Sequence, residues 1–291
     1  MQHPITMVVD HLSSRAENGS ISTARRNIAI AELVIFSAIH LIQIPIRFAQ
    51  EWRYWHNRKK RHIARCFIYS WFSMIGILSQ LRIASSAMII SKSNPDKSML
   101  IAEACLQSVG LSPLLFEVSL VLLRSGQAGE YGRGNSKWSL PIRIALHGFR
   151  FPIFIAIVLA VVGGIINIRP YGEAGSVVLV VTFVFVCGLV GWLSFKCRSI
   201  LPATGRRGVM LTMLTLPFLL VRVIYFLLQE YGPPAFNPAS GSVGVLACMG
   251  LLMELIIIGI FFLARTVIEP LSGPSENKRH ITTNDAEWTE N

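Results

Sequence analysis

Residues 242–264 read SVGVLACMGLLMELIIIGIFFLA, an apolar run whose only charged side chain is Glu254. An α-helix rises about 1.5 Å per residue, so about 20 apolar residues cross a bilayer core of about 30 Å. Similar runs precede it near residues 28–48, 66–90, 99–123, 151–168, 175–195 and 209–229. They are too long and too continuous for barrel strands, which alternate in polarity over about 10 residues. The sequence therefore predicts an all-α bundle of seven transmembrane helices over residues 28–264.

The distribution of basic residues predicts how the chain is oriented in the membrane. The chain is 15% charged and 52% hydrophobic, with a mean hydropathy of +0.53, whereas a soluble domain is about 25% charged. Its net charge of +11 would suggest a nucleic-acid partner in a soluble protein. Here nineteen Lys and Arg residues fall on one side of the predicted spans and six on the other. Because basic loops stay in the cytosol, we predict an outside or lumenal N-terminus, a cytosolic C-terminus and no nucleic-acid partner.

Two polar segments, residues 1–27 and 265–291, flank the predicted bundle. The second has no apolar periodicity and is predicted to be a disordered cytosolic tail. Asn18-Gly19-Ser20 is a glycosylation sequon on the predicted outer side, so Asn18 is a candidate glycosylation site. We expect no signal peptide before the first apolar run and expect that run to act as the targeting signal. The expected location is the endoplasmic reticulum or the plasma membrane.

The cysteines point to neither disulfides nor metal binding. All five lie within or at the ends of the predicted spans: Cys66, Cys105, Cys187, Cys197 and Cys248. No predicted outer loop contains a cysteine, and no pair has the spacing of zinc ligands. Small apolar packing residues are the simplest interpretation. We therefore expect no metal and no cofactor.

A short set of ionisable side chains lies deep in the predicted spans, where each costs about 2.5–3.5 kcal/mol on insertion scales. The set is Glu32, His40, Arg82, Glu103, Glu117, Arg222 and Glu254. Depth along the helices predicts two ion pairs, one between Arg82 and Glu103 and one between Arg222 and Glu254. These pairs either line a ligand site or only set the register of the helices. His40 is expected to be a packed core residue rather than a ligand.

Helical spacing extends the predicted site. Gln107 follows Glu103 on one face of its span, and Tyr225 follows Arg222 on another. Such polar faces should turn away from lipid, so we expect a partly polar cavity in the outer half of the bundle. Arg82, Glu103, Gln107, Arg222 and Tyr225 are the predicted substrate-binding residues.

Glu117 differs from the other acids because its neighbouring spans carry no basic residue at the same depth. Arg124 or Arg150 would have to reach across to it. An unpaired carboxyl group in apolar surroundings is a candidate proton donor. The alternative is a neutral glutamic acid bonded to a backbone carbonyl or a serine. Glu117 and Glu254 are the predicted catalytic acids.

Two families of seven-helix proteins do not fit the chain. The third span ends Leu122-Leu123-Arg124-Ser125-Gly126, without the acid–Arg–aromatic triplet of the main class of G-protein-coupled receptors. The seventh span has no lysine, which microbial rhodopsins need to bind retinal.

Three strings resemble a fungal family of seven-span membrane proteins known only as a domain of unknown function. They are Gly110–Leu115 (GLSPLL), Leu216–Tyr225 (LPFLLVRVIY) and Met253-Glu254, and the resemblance runs from Ala29 to Thr266. It implies a fungal source, in which small polytopic proteins often accompany genes of secondary metabolism. It implies no particular chemistry.

The expected function is to bind or convert a small lipophilic metabolite in the membrane. Membrane-bound fungal terpene cyclases, which share no motif with this chain, provide an analogy at the level of class. In that version Glu117 or Glu254 would protonate the substrate, while Tyr225 and Phe226 would shield a carbocation. The alternative is a non-enzymatic receptor or sensor whose basic inner loops meet a cytosolic partner. A transporter is a third option, which the lack of an internal repeat disfavours.

Overall fold

A computed structural model describes residues 23–56, 63–91, 99, 102–103, 105–106, 109–127, 136–166, 169–233, 236 and 242–268. Two predicted site residues, Asn18 and Gln107, lie outside the described residues, as do most of the two flanking segments. The regular structure within the described ranges is helical, which confirms the all-α fold class.

The helices, numbered in chain order, are α1 (Thr23–His56), α2 (Ile63–Trp71), α3 (Met74–Ser91), α4 (Leu111–Ser125), α5 (Leu140–Gly148), α6 (Arg150–Ile166), α7 (Arg169–Ile200), α8 (Ala203–Tyr231) and α9 (Val243–Ile268). Among the described residues, six helical stretches are long and apolar enough to cross a bilayer. They are Thr23–Trp52, Met74–Ser91, Leu140–Gly163, Pro170–Ile200, Ala203–Gln229 and Val243–Ile268. The chain is therefore a multi-pass integral membrane protein in contact with the lipid bilayer.

The remaining predicted span, 99–123, contains a helix that lies at the centre of the bundle. Its continuously described helical part is α4, which is 15 residues long. This helix packs against α3, α5, α6, α8 and α9, and none of its residues is exposed. A helix enclosed on all sides can carry polar side chains without presenting them to lipid. That a seventh crossing includes α4 stays a prediction.

The predicted second span, 66–90, is wrong at its start, because two helices occupy this stretch. The first, α2, ends at Trp71, and α3 begins at Met74. Ser73 caps α3, since its Oγ accepts a hydrogen bond of 3.1 Å from the backbone N–H of Gly76. The same hydroxyl donates to Oε1 of Gln43 in α1. A capping residue has non-helical backbone, so the two bonds to Ser73 explain the break.

The face of α1 that points into the bundle is polar. Its buried side chains include Arg25, Glu32, His40, Gln43, Arg47, Gln50 and Glu51. The opposite face carries exposed apolar residues such as Val34 and Leu41, which suits contact with lipid. His40 packs edge-on against the ring of Trp71 at 5.0 Å between centroids, as expected of a core histidine.

Candidate functional site

Four charged side chains from four helices meet inside the bundle. They are Glu32 of α1, Arg82 of α3, Arg222 of α8 and Glu254 of α9, and we call them the central network. Each is at most 5% exposed, and each lies within a stretch long enough to span the membrane. Because a charge at membrane depth is costly, four of them in one place need mutual compensation.

Glu254 is held by both arginines of the central network. Arg82 donates from Nε to Oε1 at 3.0 Å and from Nη2 to Oε2, which is the fork geometry of a bidentate pair. Arg222 also approaches this carboxylate, with Nη2 3.3 Å from Oε2. Both carboxylate oxygens of Glu254 are therefore engaged by guanidinium groups.

Glu32 completes the charge balance of the central network. Its Oε2 accepts a hydrogen bond of 3.2 Å from Oγ of Ser86 in α3. The carboxyl group also lies within electrostatic range of Arg82, Arg222 and Glu254. Two carboxylates and two guanidinium groups have no net charge, which lowers the cost of burying them together.

Tyr225 and a π-helical segment border the central network. The guanidinium carbon of Arg222 lies 5.8 Å from the centre of the Tyr225 ring. In α9, residues Leu246–Leu252 form a π-helix that ends two residues before Glu254, and such segments are frequent at functional sites. Within it, a Cβ atom on Gly250 would lie 3.5 Å from both Nη1 of Arg222 and Cε1 of Tyr225. The network is thus closely packed against the irregular part of α9.

Two buried polar atoms, one in α8 and one in α3, have no hydrogen-bond partner among the described residues. One is Nε of Arg222, and the other is Oγ of Ser85, which lies one turn after Arg82 in α3. Arginine Nε is a donor, and a hydroxyl can donate or accept. A buried donor without a partner is costly. Nε of Arg222 therefore favours binding an oxygen atom that does not belong to the described residues.

Comparison with known proteins places the chain in a family. The model of a domain of unknown function, DUF7702, matches residues 22–268. The chain belongs to the DUF7702 family. The match includes the central network and all six stretches that are long enough to span the membrane. A search of curated proteins and a search of solved structures found no match. The expected resemblance to a domain of unknown function is confirmed, and the fungal source stays a prediction.

The ion pairs predicted for the DUF7702 chain from depth alone are partly wrong. Arg82 does not pair with Glu103, because its fork is occupied by Glu254. Glu103 instead accepts a hydrogen bond of 2.6 Å from Nη2 of Arg25, near the start of α1. The predicted contact between Arg222 and Glu254 is present but is the longer of the two made by Glu254. Arg82 and Glu103 lie at compatible depths in the membrane. The rotation of the helices about their axes nevertheless brings Arg82 to Glu254 and Glu103 to Arg25.

Glu117 is not an unpaired acid in the DUF7702 chain. Its Oε1 accepts a hydrogen bond from Nε of Arg265, near the end of α9. Arg265 follows Glu254 by 11 residues, which is about 16 Å along a helix. Glu117 therefore lies far from the central network, and the two predicted catalytic acids are not in one site. The predicted site residues that do come together are Arg82, Arg222, Tyr225 and Glu254.

Several residues that take part in ion pairs and hydrogen bonds between the helices were not among the predicted site residues. They are Arg25, Glu32, Glu51, Ser86, Arg124 and Arg265. The spacing of Arg25, Glu32, His40, Gln43, Arg47 and Glu51 along α1 follows one helical face. That pattern signals a polar face turned into the bundle. The polar face is longer than the predicted span, because Arg25 and Glu51 fall just outside the apolar run.

The chemistry open to the central network is polar recognition and proton transfer. Glu254 has both oxygens engaged by guanidinium groups, so it is poorly placed to give a proton to a ligand. Glu32 has one oxygen bonded to the hydroxyl of Ser86. Among the described residues, no group of three His, Cys, Asp or Glu could hold a metal ion. Cys66, Cys187, Cys197 and Cys248 are free thiols.

Proposed function

We propose that this DUF7702 protein binds a small lipophilic metabolite inside the membrane and converts it, with the central network as the polar end of the site. The observation that carries the proposal is the spare donor at Nε of Arg222, buried among otherwise paired charges. An oxygen function on an apolar molecule would satisfy this donor, while apolar side chains of the spans would contact the rest. Sites for such ligands are mostly apolar with a few polar groups that fix orientation.

The proposed conversion is an acid-catalysed cyclisation or isomerisation of the terpene-cyclase kind, in fungal secondary metabolism. A proton donor and an aromatic group beside a developing cation are its two requirements. Tyr225, 2% exposed, supplies the aromatic ring. Of the acids in the central network, Glu32 is better placed than Glu254 to transfer a proton, because Glu254 accepts hydrogen bonds from Arg82 at both oxygens. In this mechanism Glu32 would alternate between the carboxylate that balances the arginines and the protonated acid that donates to the ligand.

A non-enzymatic receptor or sensor is the alternative, and the geometry of Glu254 favours it over catalysis by that residue. A carboxylate clamped by two arginines suits ligand recognition better than proton transfer. In that case the ligand would change the contacts between α3, α8 and α9, and the basic cytosolic loops would meet a partner.

We further propose seven crossings, with the N-terminus outside or lumenal and the C-terminus cytosolic, in the endoplasmic reticulum or the plasma membrane. The pair between Arg25 and Glu103 joins the beginnings of α1 and the predicted third span. The pair between Glu51 and Arg124 joins the ends of α1 and α4. These two contacts support parallel directions for the first and third crossings, which alternate crossing requires.

Metabolite profiling tests the proposed conversion. A host lacking the gene would be complemented with the wild type, Glu32→Gln or Glu254→Gln, and membrane levels would be checked by blotting. We expect an unconverted precursor to accumulate in the deletion host and in both variants, since each loses a charge of the central network. A third variant, Glu117→Gln, tests whether the carboxyl group paired with Arg265, far from the central network, takes part in the conversion.

The matched control is Glu173→Gln, the same chemical change in α7, outside the central network. It should restore the product. An unchanged metabolite profile in the deletion host would exclude the conversion and leave the receptor alternative. Full activity of abundant Glu32→Gln and Glu254→Gln proteins would remove the central network from the mechanism.

A further inference from the structure

A chain of hydrogen bonds joins α1 to the break between α2 and α3. The backbone N–H of Gly76 donates to Oγ of Ser73 at 3.1 Å, and this hydroxyl donates to Oε1 of Gln43. The amide nitrogen of Gln43 lies 3.5 Å from Nδ1 of His40. The chain of polar contacts therefore ends on the imidazole ring of His40.

The direction of these bonds places the proton of the His40 ring. Because Oε1 of Gln43 accepts from Ser73, the amide nitrogen of Gln43 is the atom that faces the ring. An amide nitrogen only donates, so Nδ1 accepts and the neutral imidazole carries its proton on Nε2. Nε2 is buried without a hydrogen-bond partner among the described residues, and His40 as a whole is 8% exposed. Nε2 of His40 is therefore a spare donor.

The helices α1 and α3 are antiparallel neighbours. A Cβ atom on Gly76 would lie 2.5 Å from Nε2 of Gln43, so the two helices are close at this level. Further along, Ser86 of α3 donates to Glu32 of α1. The residue number rises along α3 while that of its partner in α1 falls, which is the pattern of opposite chain directions.

Gln80 of α3 provides a second spare donor at the level of His40. Its Nε2 is likewise buried, with no hydrogen-bond partner in the part of the chain that the structure describes. His40 precedes Gln43 by three residues, and Gln80 follows Gly76 by four. Because the two helices are antiparallel, both residues lie about one turn from the contact between Gln43 and Gly76, on the same side of it.

Aromatic rings and an opening to the lipid accompany these two donors. Trp71 packs edge-on against His40, with 5.0 Å between ring centroids, and Phe67 stacks on Trp71 at 5.8 Å. Both aromatic residues are exposed. Gln80 is half-buried, and Ala84, one turn further along α3, is exposed. We call the region bounded by His40, Trp71 and Gln80 the lateral groove, because it reaches the surface that faces lipid.

The chemistry of the lateral groove suits an uncharged oxygen acceptor. Its two spare groups are neutral N–H donors, and a carbonyl oxygen has two lone pairs that can accept from both. Gln80 lies six residues inside the membrane-spanning stretch Met74–Ser91, which is about 9 Å from its start. That depth suits a compound dissolved in the hydrocarbon core rather than a phospholipid headgroup.

We propose that the lateral groove binds the carbonyl oxygen of an uncharged lipophilic compound, of the ketone or quinone class. Nε2 of His40 and Nε2 of Gln80 donate to this oxygen, while Trp71 and Phe67 contact the apolar part of the compound. Ligand sites of this kind are mostly apolar with a few polar groups that fix orientation. His40 lies eight residues, about 12 Å along α1, from Glu32. The site is thus separate from the central network and does not depend on the proposed conversion.

Binding of a matched pair of probes to the purified full-length protein in a neutral detergent tests the proposal. The probes are methyl undecyl ketone and tridecane, which is the same carbon chain without the carbonyl group. Short-chain phosphatidylcholine tests the ester carbonyls of a phospholipid. The readout is the shift of the unfolding temperature with the mole fraction of probe in the micelle. We expect a saturable increase with the ketone and none with tridecane.

Two variants each remove one donor. His40→Phe keeps an aromatic ring against Trp71, and Gln80→Leu changes a half-buried position. Each should weaken ketone binding about fivefold, the loss expected for one neutral hydrogen bond. The shift is measured from the unfolding temperature of each variant alone, so a purely structural effect of the substitution does not change it. The control is Gln127→Leu, the same change at a half-buried position after α4, which should bind like the wild type.

Equal responses of the wild type to the ketone and to tridecane, or a response as large to phosphatidylcholine, would overturn the proposal. So would ketone binding as tight as that of the wild type in a folded His40→Phe or Gln80→Leu protein, or equal weakening in Gln127→Leu. If one of the two variants does not fold, the other decides. If neither folds, the comparison of the ketone with tridecane on the wild type decides.

Discussion

Replacing Glu254 with leucine lowers the free energy of unfolding by about 3–5 kcal/mol, the cost of leaving a buried charge without its partner. In the wild type Arg82 and Arg222 both contact this carboxylate. Without it, two guanidinium groups would share the single negative charge of Glu32 in the interior of a membrane bundle. We expect little folded protein, measured by the fraction resistant to denaturation in mixed micelles and by abundance in the membrane.

The matched control is the double variant Arg82→Met/Glu254→Leu, which removes the whole bidentate pair and leaves Arg222 balanced by Glu32. Apolar side chains of similar volume often replace a buried ion pair without loss of stability. The double variant should therefore regain most of the stability that Glu254→Leu loses. A stable single variant, or a double variant no more stable than the single one, would contradict the pairing of Arg82 with Glu254.

Gly163→Leu in α6 should destabilise the protein by about 2–3 kcal/mol, because it drives two backbones apart. A Cβ atom at this position would lie 2.7 Å from the backbone nitrogen of Gly172 and 3.2 Å from its Cα, in α7. Backbone atoms in a packed helix cannot move aside as the end of a flexible side chain can. The measurement is the unfolding temperature of the purified protein in detergent.

Gly188→Leu serves as the control for this substitution. Apart from its chain neighbours and the backbone of its own helix, no heavy atom lies within 4 Å of a Cβ atom built on Gly188 in α7, and the position is exposed. Its unfolding temperature should equal that of the wild type. If both variants are equally stable, α6 and α7 do not approach each other as closely as their backbones indicate.

The positions of the membrane helices could largely be predicted from the sequence, because an uninterrupted apolar run of about 20 residues is typical of a transmembrane helix. The start of the second span could not be predicted. It depends on the hydrogen bond between Ser73 and Gln43, a contact between helices that are separate in sequence. The π-helical turn before Glu254 has no sequence signal that separates it from ordinary helix.

For the candidate site, the sequence identified most of the buried charges but, of their pairings, only the contact between Arg222 and Glu254. Arg82 had two acids at suitable depth, Glu103 and Glu254, and only the rotation of the helices decides between them. For Glu117, the spans that neighbour it in sequence carry no basic residue at its depth, because its partner Arg265 comes from the last helix. Pairing in a bundle depends on tertiary packing, which depth and helical spacing do not specify.

The central claim, that a lipophilic ligand occupies the central network, is tested most directly by what the protein retains on purification. Wild type and the charge-balanced Arg82→Met/Glu254→Leu variant would be purified in mild detergent from the source organism, and bound small molecules would be compared by mass spectrometry. We expect an oxygen-bearing lipophilic compound on the wild type and at most about one tenth as much on a folded variant, a difference of about 1.4 kcal/mol or more in binding. Equal amounts on both proteins would show that the network does not recognise the ligand, and would contradict the account.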